Sequence, residues 1–409
     1  MAPKDTDDVR PAAARLLTAV AIGLAGLLLA CCPRALGQTC DTACAPDCRD
    51  LVPCGPVLDL RLDVRAEYLL WWTDSLDVPA LVTTSPSGTA RDQAGVLGQP
   101  NTTILYGDDG LNGKAHSGGR FAIDGWFDPC RTLGFELGYT VLEQDDAVFA
   151  ASSQGTPILA RPFVNADTSL QDSGLIAFPN VAEGSITIAA ATQFHTAEAL
   201  LTKPLVEDCG QRLMMLFGYR YGLLEDDLTM RETMVSRETS TLGSRLDLFD
   251  QFTTTNSFNG PQLGFLTERQ NGVWTLQLLT KLALGSTHSE ATVAGTTTAT
   301  TATGASSTTA GGFYALPTNM GTYEQDKFSA LTEVGLKLSC DFACHWRASV
   351  GYSFLYWRYA ARAGEQIDTL LSAEEFPPGQ GSASLHPQFP FRTSAFWAQG
   401  LTVGVERRF

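Results

Sequence analysis

Ten stretches of this chain alternate apolar and polar residues with a period of two, and the connections between them are short and long by turns. In "LDVRAEYLLWW" (62–72) Leu62, Val64, Ala66, Tyr68, Leu70 and Trp72 share one face, with Asp63, Arg65 and Glu67 on the other. "RLMMLFGYRYG", "WTLQLLTKLAL" and "HWRASVGYSFLYW" repeat the pattern. Period two with one continuously apolar face predicts β-strands. The ten are expected over 62–73, 117–127, 132–146, 190–203, 212–230, 256–268, 273–291, 326–339, 345–361 and 395–409. Two further strands hidden in the long connections would make twelve.

Short links join the strands in pairs, at 128–131, 204–211, 269–272 (where Asn271-Gly272 is a strong turn dipeptide) and 340–344. The intervening connections run to 74–116, 147–189, 231–255, 292–325 and 362–394. An even strand count, short turns at one end and long loops at the other predict an all-β, antiparallel, up-and-down transmembrane barrel of the outer-membrane type. Its short turns would be periplasmic and its long loops extracellular. The rival, a soluble β-sandwich, shares the alternation. Against it stand charges and glycines recurring on the non-apolar face, and aromatics near strand ends (Trp71, Trp72, Trp126, Trp274, Trp346, Tyr356, Trp357) that suit an interfacial girdle. The closing "LTVGVERRF" ends on Phe409, a terminal aromatic of the kind read by barrel-assembly machinery. That machinery and the outer-membrane lipids are the expected partners, and the oligomeric state is left open.

Export is written at the N-terminus. Lys4, Arg10 and Arg15 precede the apolar run 16–30, and Ala35-Leu36-Gly37 offers a cleavage site. The expected divisions are a signal peptide at 1–37, a cysteine-rich periplasmic segment at 38–61 and the barrel at 62–409, with 292–325 a flexible loop. A lipoprotein-like box at Leu28-Leu29-Ala30-Cys31 is the alternative to cleavage after Gly37. The net charge of −16 excludes a nucleic-acid footprint. Beyond residue 37 no run of about 18 apolar residues could form a spanning helix.

"AEYLLWW" (66–72), "VPALVTTSP" (78–86), "GGRFAIDGWFD" (118–128), "ARPFVN" (160–165) and "GYRYGLLEDDLTM" (218–230) together resemble the planctomycete type-7 β-barrel porins. The resemblance covers about 65–409. It implies an outer-membrane barrel and supplies no catalytic residue to carry over.

Of ten cysteines, Cys40, Cys44, Cys48 and Cys54 precede the first strand, and Cys130, Cys209, Cys340 and Cys344 are placed at short turns. All eight therefore belong at the periplasmic end, where disulfides persist. One expectation is that the N-terminal segment is stapled to the turns and partly covers the periplasmic mouth. Local pairing is the other, and eight cysteines allow 105 connectivities. The four-residue spacing of Cys40, Cys44 and Cys48 would also suit a metal on a helix face, but an exported chain favours disulfides, so neither metal nor cofactor is expected.

The face opposite the lipid is expected to carry Arg65, Glu67, Asp124, Glu136, Glu198, Arg220, Gln277, Lys281, Glu333, Lys337, Arg347 and Glu406. In a narrow barrel these charges either pair across a packed interior or line a constricted channel. The first function expected is passive diffusion of small hydrophilic solutes. The alternative is a closed structural barrel acting through its extracellular loops. Acidic pairs at 108–109, 145–146 and 226–227 are expected to form a solvated rim rather than a cation site. None of the five histidines sits in a hydrolase or zinc-protease motif, so no enzyme is expected.

Overall fold

The computed structural model describes residues 61–108, 110–111, 113–128, 131–208, 210–343, 345–372 and 386–409. Ten antiparallel strands form the wall: β1 (Arg61–Thr73), β2 (Ala115–Trp126), β3 (Gly134–Ser153), β4 (Ala182–Asp208), β5 (Gln211–Ser236), β6 (Arg245–Asn271), β7 (Trp274–Thr300), β8 (Gly321–Ala343), β9 (Trp346–Ala360) and β10 (Ser394–Arg408). Each pairs with the next, and β1 pairs with β10 from Asp63↔Arg408 to Thr73↔Ala398, which closes the barrel. Closure leaves no free edge within the membrane, where an unpaired backbone group would cost several kcal/mol.

The period-two pattern becomes two surfaces. Val64, Tyr68, Phe121, Leu137, Phe217, Leu263, Leu278, Leu336, Tyr352 and Leu401 are exposed on the outside. They ring the barrel at the level of the short turns and the rows just above. This apolar band belongs in lipid, where exposure costs nothing. Among the described residues no helix is long and apolar enough to cross a membrane.

Turn chemistry fixes the short links. The Asp128 carboxylate accepts hydrogen bonds from the backbone of Thr132 at 3.0 Å and Leu133 at 3.1 Å, and from the Thr132 hydroxyl at 2.8 Å. Between β6 and β7 the pairing runs to Asn271↔Trp274, so the loop is Gly272-Val273 rather than the four residues 269–272. Gly272 opens it at φ +59°, the positive φ that a two-residue hairpin requires.

The structure departs from the sequence expectations at several places. The strands are longer than the alternation suggested, because β4 to β7 run 26–27 residues where 9–11 suffice to cross the bilayer. They rise far above the apolar band. Residues 292–300, expected in a flexible loop, continue β7, with Ala291 and Val293 buried, and the hairpin returns through Ser306–Ala310. Threonine is β-branched and favours strands, and here neighbours on both sides decide the matter. Trp71 and Trp357 are fully buried inside and Trp126 lines the interior, so only Trp72, Trp274, Trp346 and Tyr356 remain for the girdle. Cys340 is not in a turn: it is buried within β8, opposite Trp274 and Ala348. Cys40, Cys44, Cys48, Cys54, Cys130, Cys209 and Cys344 lie outside the described residues, as do the signal peptide and segment 38–60.

The long connections fold back over the concave side of the tall strands. Val82–Ser85, Thr103–Tyr106, Ile158–Asn165, Gln171–Ala177 and Leu370–Leu371 form a second sheet there. Between the two sheets lies an apolar core containing Leu76, Leu81, Val82, Phe163, Ile176, Ile188, Leu228, Met230, Phe252 and Tyr314. The result is a folded head above the membrane barrel.

Candidate functional site: the barrel interior

The interior is stratified. At the short-turn end a vestibule of about 330 Å³ is lined by Asp63, Asp124, Glu136, Glu207, Asp208, Glu268 and Glu406, and by Arg65, Arg131, Arg212, Arg347 and Arg408. Seven acids against five bases give it a negative balance. Arg347 reaches Asp341 at 2.8 Å, and Arg408 reaches Glu406 at 3.1 Å and Asp341 at 3.5 Å.

Above it, ion pairs cross the cross-section of the barrel. Lys281 on β7 meets Glu136 on β3 at 3.0 Å and Glu198 on β4 at 2.5 Å. Glu333 on β8 accepts from Arg120 on β2 at 2.6 Å and from Arg220 on β5 at 2.8 Å. Lys337 on β8 meets Glu67 on β1 at 2.8 Å, and Arg65 lies 3.6–3.7 Å from Glu67, Asp124 and Glu136. Gln262 donates to Glu198 at 2.8 Å. Partners three or four strands apart can meet only by spanning the lumen. Five acids (Glu67, Asp124, Glu136, Glu198, Glu333) and five bases (Arg65, Arg120, Arg220, Lys281, Lys337) share this layer. Balance matters, since a buried charge without a partner costs several kcal/mol.

The structure thus brings nine of the eleven charged residues named from the sequence into this layer, with Arg220 and Glu333 almost wholly buried. The other two, Arg347 and Glu406, stand at the vestibule wall beneath it. Gln277 is at the boundary, hydrogen-bonded to Glu268. One member of the layer was missed: Arg120 shares parity with Asp124 on β2, so the alternation already carried the signal. Beside the vestibule, Asp341 was missed because its stretch was assigned to a turn.

A third stratum is apolar. Leu69, Trp71, Leu142, Phe194, Phe258, Leu331, Trp357 and Phe396 point inwards and are buried. Phe194 and Phe396 lie 5.3 Å apart, and Trp357 gives its indole N–H to Thr287 at 2.9 Å.

Polar clamps join the head to the wall above this layer. Asp226 on β5 accepts from Arg362 at 2.7 Å and from Thr192 at 2.7 Å. Asn256 on β6 bonds the backbone of Ala361 in both directions, at 2.7 and 2.8 Å. Asp250 on β6 accepts three backbone N–H groups, from Phe313, Tyr314 and Ala315 at 2.7–3.0 Å, and takes Arg161 at 2.9 Å. Glu232 lies 3.4 Å from the same guanidinium, which stacks on Phe313 and Tyr314. Burial pushes the Glu232 carboxyl up to about 7, with Asp250 adding to the rise and Arg161 opposing it. Burial also raises the Tyr314 hydroxyl well above its usual range. Of the acidic pairs expected at a solvated rim, Asp226 is instead buried in its clamp, and Asp145 lies 3.1 Å from His116. Asp109 lies outside the described residues.

A closed ten-stranded barrel with an outer apolar band and a charged interior defines an integral β-barrel of the bacterial outer membrane. The chain belongs to the family described as "Putative beta barrel porin-7", whose family model matches residues 64–409. No curated protein matches. Among solved structures it is similar to the outer membrane protease OmpT from Escherichia coli, at 8% identity and TM-score 0.40 over 86% of this chain and 97% of that one. It is also similar to a major outer membrane protein from Thermus thermophilus, at 11% identity and TM-score 0.23 over 86% and 100%. An anion-selective porin from Comamonas acidovorans aligns at 8% identity and TM-score 0.21 over 86% and 99%. At TM-scores this low none of these likenesses bears on what the chain does.

Proposed function

We propose that this outer-membrane barrel is a porin shut at rest, offering passive diffusion of small hydrophilic solutes when its interior rearranges. The observation that carries this reading is the vestibule, which opens on to a full cross-section of charged side chains in the membrane. A packing core would be better served by apolar residues, since replacing buried ion pairs with them is often neutral or stabilising. The seven-to-five excess of acids over bases favours cations. Membership of a porin family supports a transport role over a catalytic one, and in this reading the setting is a planctomycete envelope. Outer-membrane lipids and the assembly machinery are its partners in this reading. The lumen charges act as selectivity determinants in this reading.

Bilayer recordings test this. The full chain is expected to be silent at rest and to show brief cation-selective steps when Asp250→Ala loosens the head. A pore appearing only after reduction would support the N-terminal cover.

A second reading is favoured by the apolar stratum and the head core: a permanently closed barrel acting through its extracellular head. Fully burying a large aliphatic or aromatic side chain is worth about 1.5–3 kcal/mol, so the core of the head alone resists opening strongly. Silence from folded wild type and folded Asp250→Ala alike would favour it.

A further inference from the structure

Three cations, Lys203, Arg269 and Arg407, face outward at the short-turn rim of the apolar band. Lys203 follows exposed Leu201 on β4, Arg269 follows exposed Phe265 and Thr267 on β6, and Arg407 follows exposed Val405 on β10. Parity puts the carboxylates beside them on the other face. Glu268 and Glu406 line the vestibule, where Arg212 lies 3.9 Å from the first and Arg408 3.1 Å from the second. Among the described residues Lys203, Arg269 and Arg407 form no ion pair.

Arg407 is the most constrained of these cations. β9 sets Trp346 directly opposite it, and Phe409 follows along the same face of β10. The guanidinium carbon lies 5.3 Å from the ring centre of Trp346 and 4.6 Å from that of Phe409. Stacking uses the flat faces of a guanidinium and leaves the N–H donors around its edge free. Among the described residues those donors reach no acceptor. Trp346 and Phe409 are both exposed, so the cluster faces the surroundings of the barrel at this level.

The setting selects the partner. Exposed aromatic rings at the edge of an apolar band belong at the interface between hydrocarbon and headgroups. Phospholipid phosphates lie at that depth, and a guanidinium presents a fork that matches phosphate oxygens. The low dielectric beside the hydrocarbon strengthens the attraction. On the head side of the band Glu225, Asp227, Glu290, Glu324 and Asp326 face outward instead, so an anionic surface is favoured at the rim and opposed above it.

We propose that Arg407, stacked on Trp346 and Phe409, binds the phosphate of an anionic phospholipid in the periplasmic leaflet, and that Lys203 and Arg269 extend the attraction around the rim. A headgroup of net negative charge is preferred over a zwitterionic one, whose own ammonium offsets the phosphate. The site rests on the membrane placement of the barrel and holds whether or not the lumen conducts.

Native mass spectrometry of the refolded full chain, released from detergent with phosphatidylglycerol, phosphatidylcholine or inorganic phosphate added, tests the site. The heat-shifted gel mobility of an intact barrel is the folding check for every variant. Phosphatidylglycerol is expected to bind in preference to phosphatidylcholine, and Arg407→Gln should lower that preference about fivefold, the worth of one basic side chain near an anionic lipid surface. Arg407→Lys, which keeps the charge and loses the fork, should fall between wild type and Arg407→Gln. Arg231→Gln removes a cation stacked on Phe249 in the head, 4.3 Å from its ring centre, and should leave the preference unchanged. Equal binding of the two lipids by wild type would overturn the proposal. So would a preference that Arg407→Gln leaves intact, or that Arg231→Gln lowers equally. Displacement of the lipid by inorganic phosphate at matched concentration would overturn it too, and would mean a site for free phosphate.

Discussion

Asp250 shows how much one buried carboxylate can organise. It is fully buried, accepts three backbone N–H groups and balances Arg161. Asp250→Ala should cost about 3–5 kcal/mol, because it strands a buried guanidinium and three donors. The thermal midpoint of the head, followed by near-UV circular dichroism, reads that loss. A Cβ at Gly312 would collide with the Asp250 carboxylate and the Phe249 carbonyl, so Gly312→Ala should disturb the same clamp without removing a charge. Glu232 adds a pH dependence. Its folded pKa of about 7 lies above the unfolded value of 4.5, so between these the folded head holds a proton that the unfolded chain has released. Stability is therefore full below about 4.5 and falls as pH rises through about 7, by about 3 kcal/mol in all. Glu232→Gln should flatten that slope, and a slope unchanged in this variant would assign it elsewhere.

At the scale of the element, each strand shows two faces, and the sequence was informative to the extent that its parity was followed. Arg65, Glu67 and Trp71 share parity on β1, so Trp71 had to point inwards with them. Its placement in the girdle followed aromatic clustering instead of the period. The turn at 128–131 was legible because Asp128 caps it locally, whereas the Asn-Gly turn slid because the strands pair further than the alternation reaches. The head was not legible. Arg161 meets Asp250 across 89 residues and Tyr314 meets Pro162 across 152, and such contacts leave no local period. The threonine-rich stretch lacks apolar anchors of its own and is held by neighbouring strands. Within the charge layer, Lys281→Ala removes the cation that bridges Glu136 and Glu198 and leaves them only the longer ionic contacts to Arg65 (3.6 Å) and Arg220 (3.8 Å). It should destabilise the barrel by about 3–5 kcal/mol, read as an earlier midpoint in denaturant unfolding. In the apolar stratum Trp71→Ala should cost about 3–5 kcal/mol.

For the whole molecule, three successive strata fill the lumen: a cross-section of paired charges, a layer of inward aromatics and leucines, and a head core clamped by Asp226, Asp250 and Asn256. The vestibule is a cavity of solute size, and it opens at the short-turn end. The barrel and its membrane setting follow from strand count, loop asymmetry and the apolar band. Whether solute passes depends on how these strata move. The most direct measurement is single-channel recording of the refolded, oxidised full chain in a planar bilayer at modest voltage, with insertion verified independently. The wild-type protein is expected to give no sustained unitary conductance. Long-lived, salt-dependent open steps at rest would contradict it, and would mean that the paired charges and the head leave a water-filled path through the barrel.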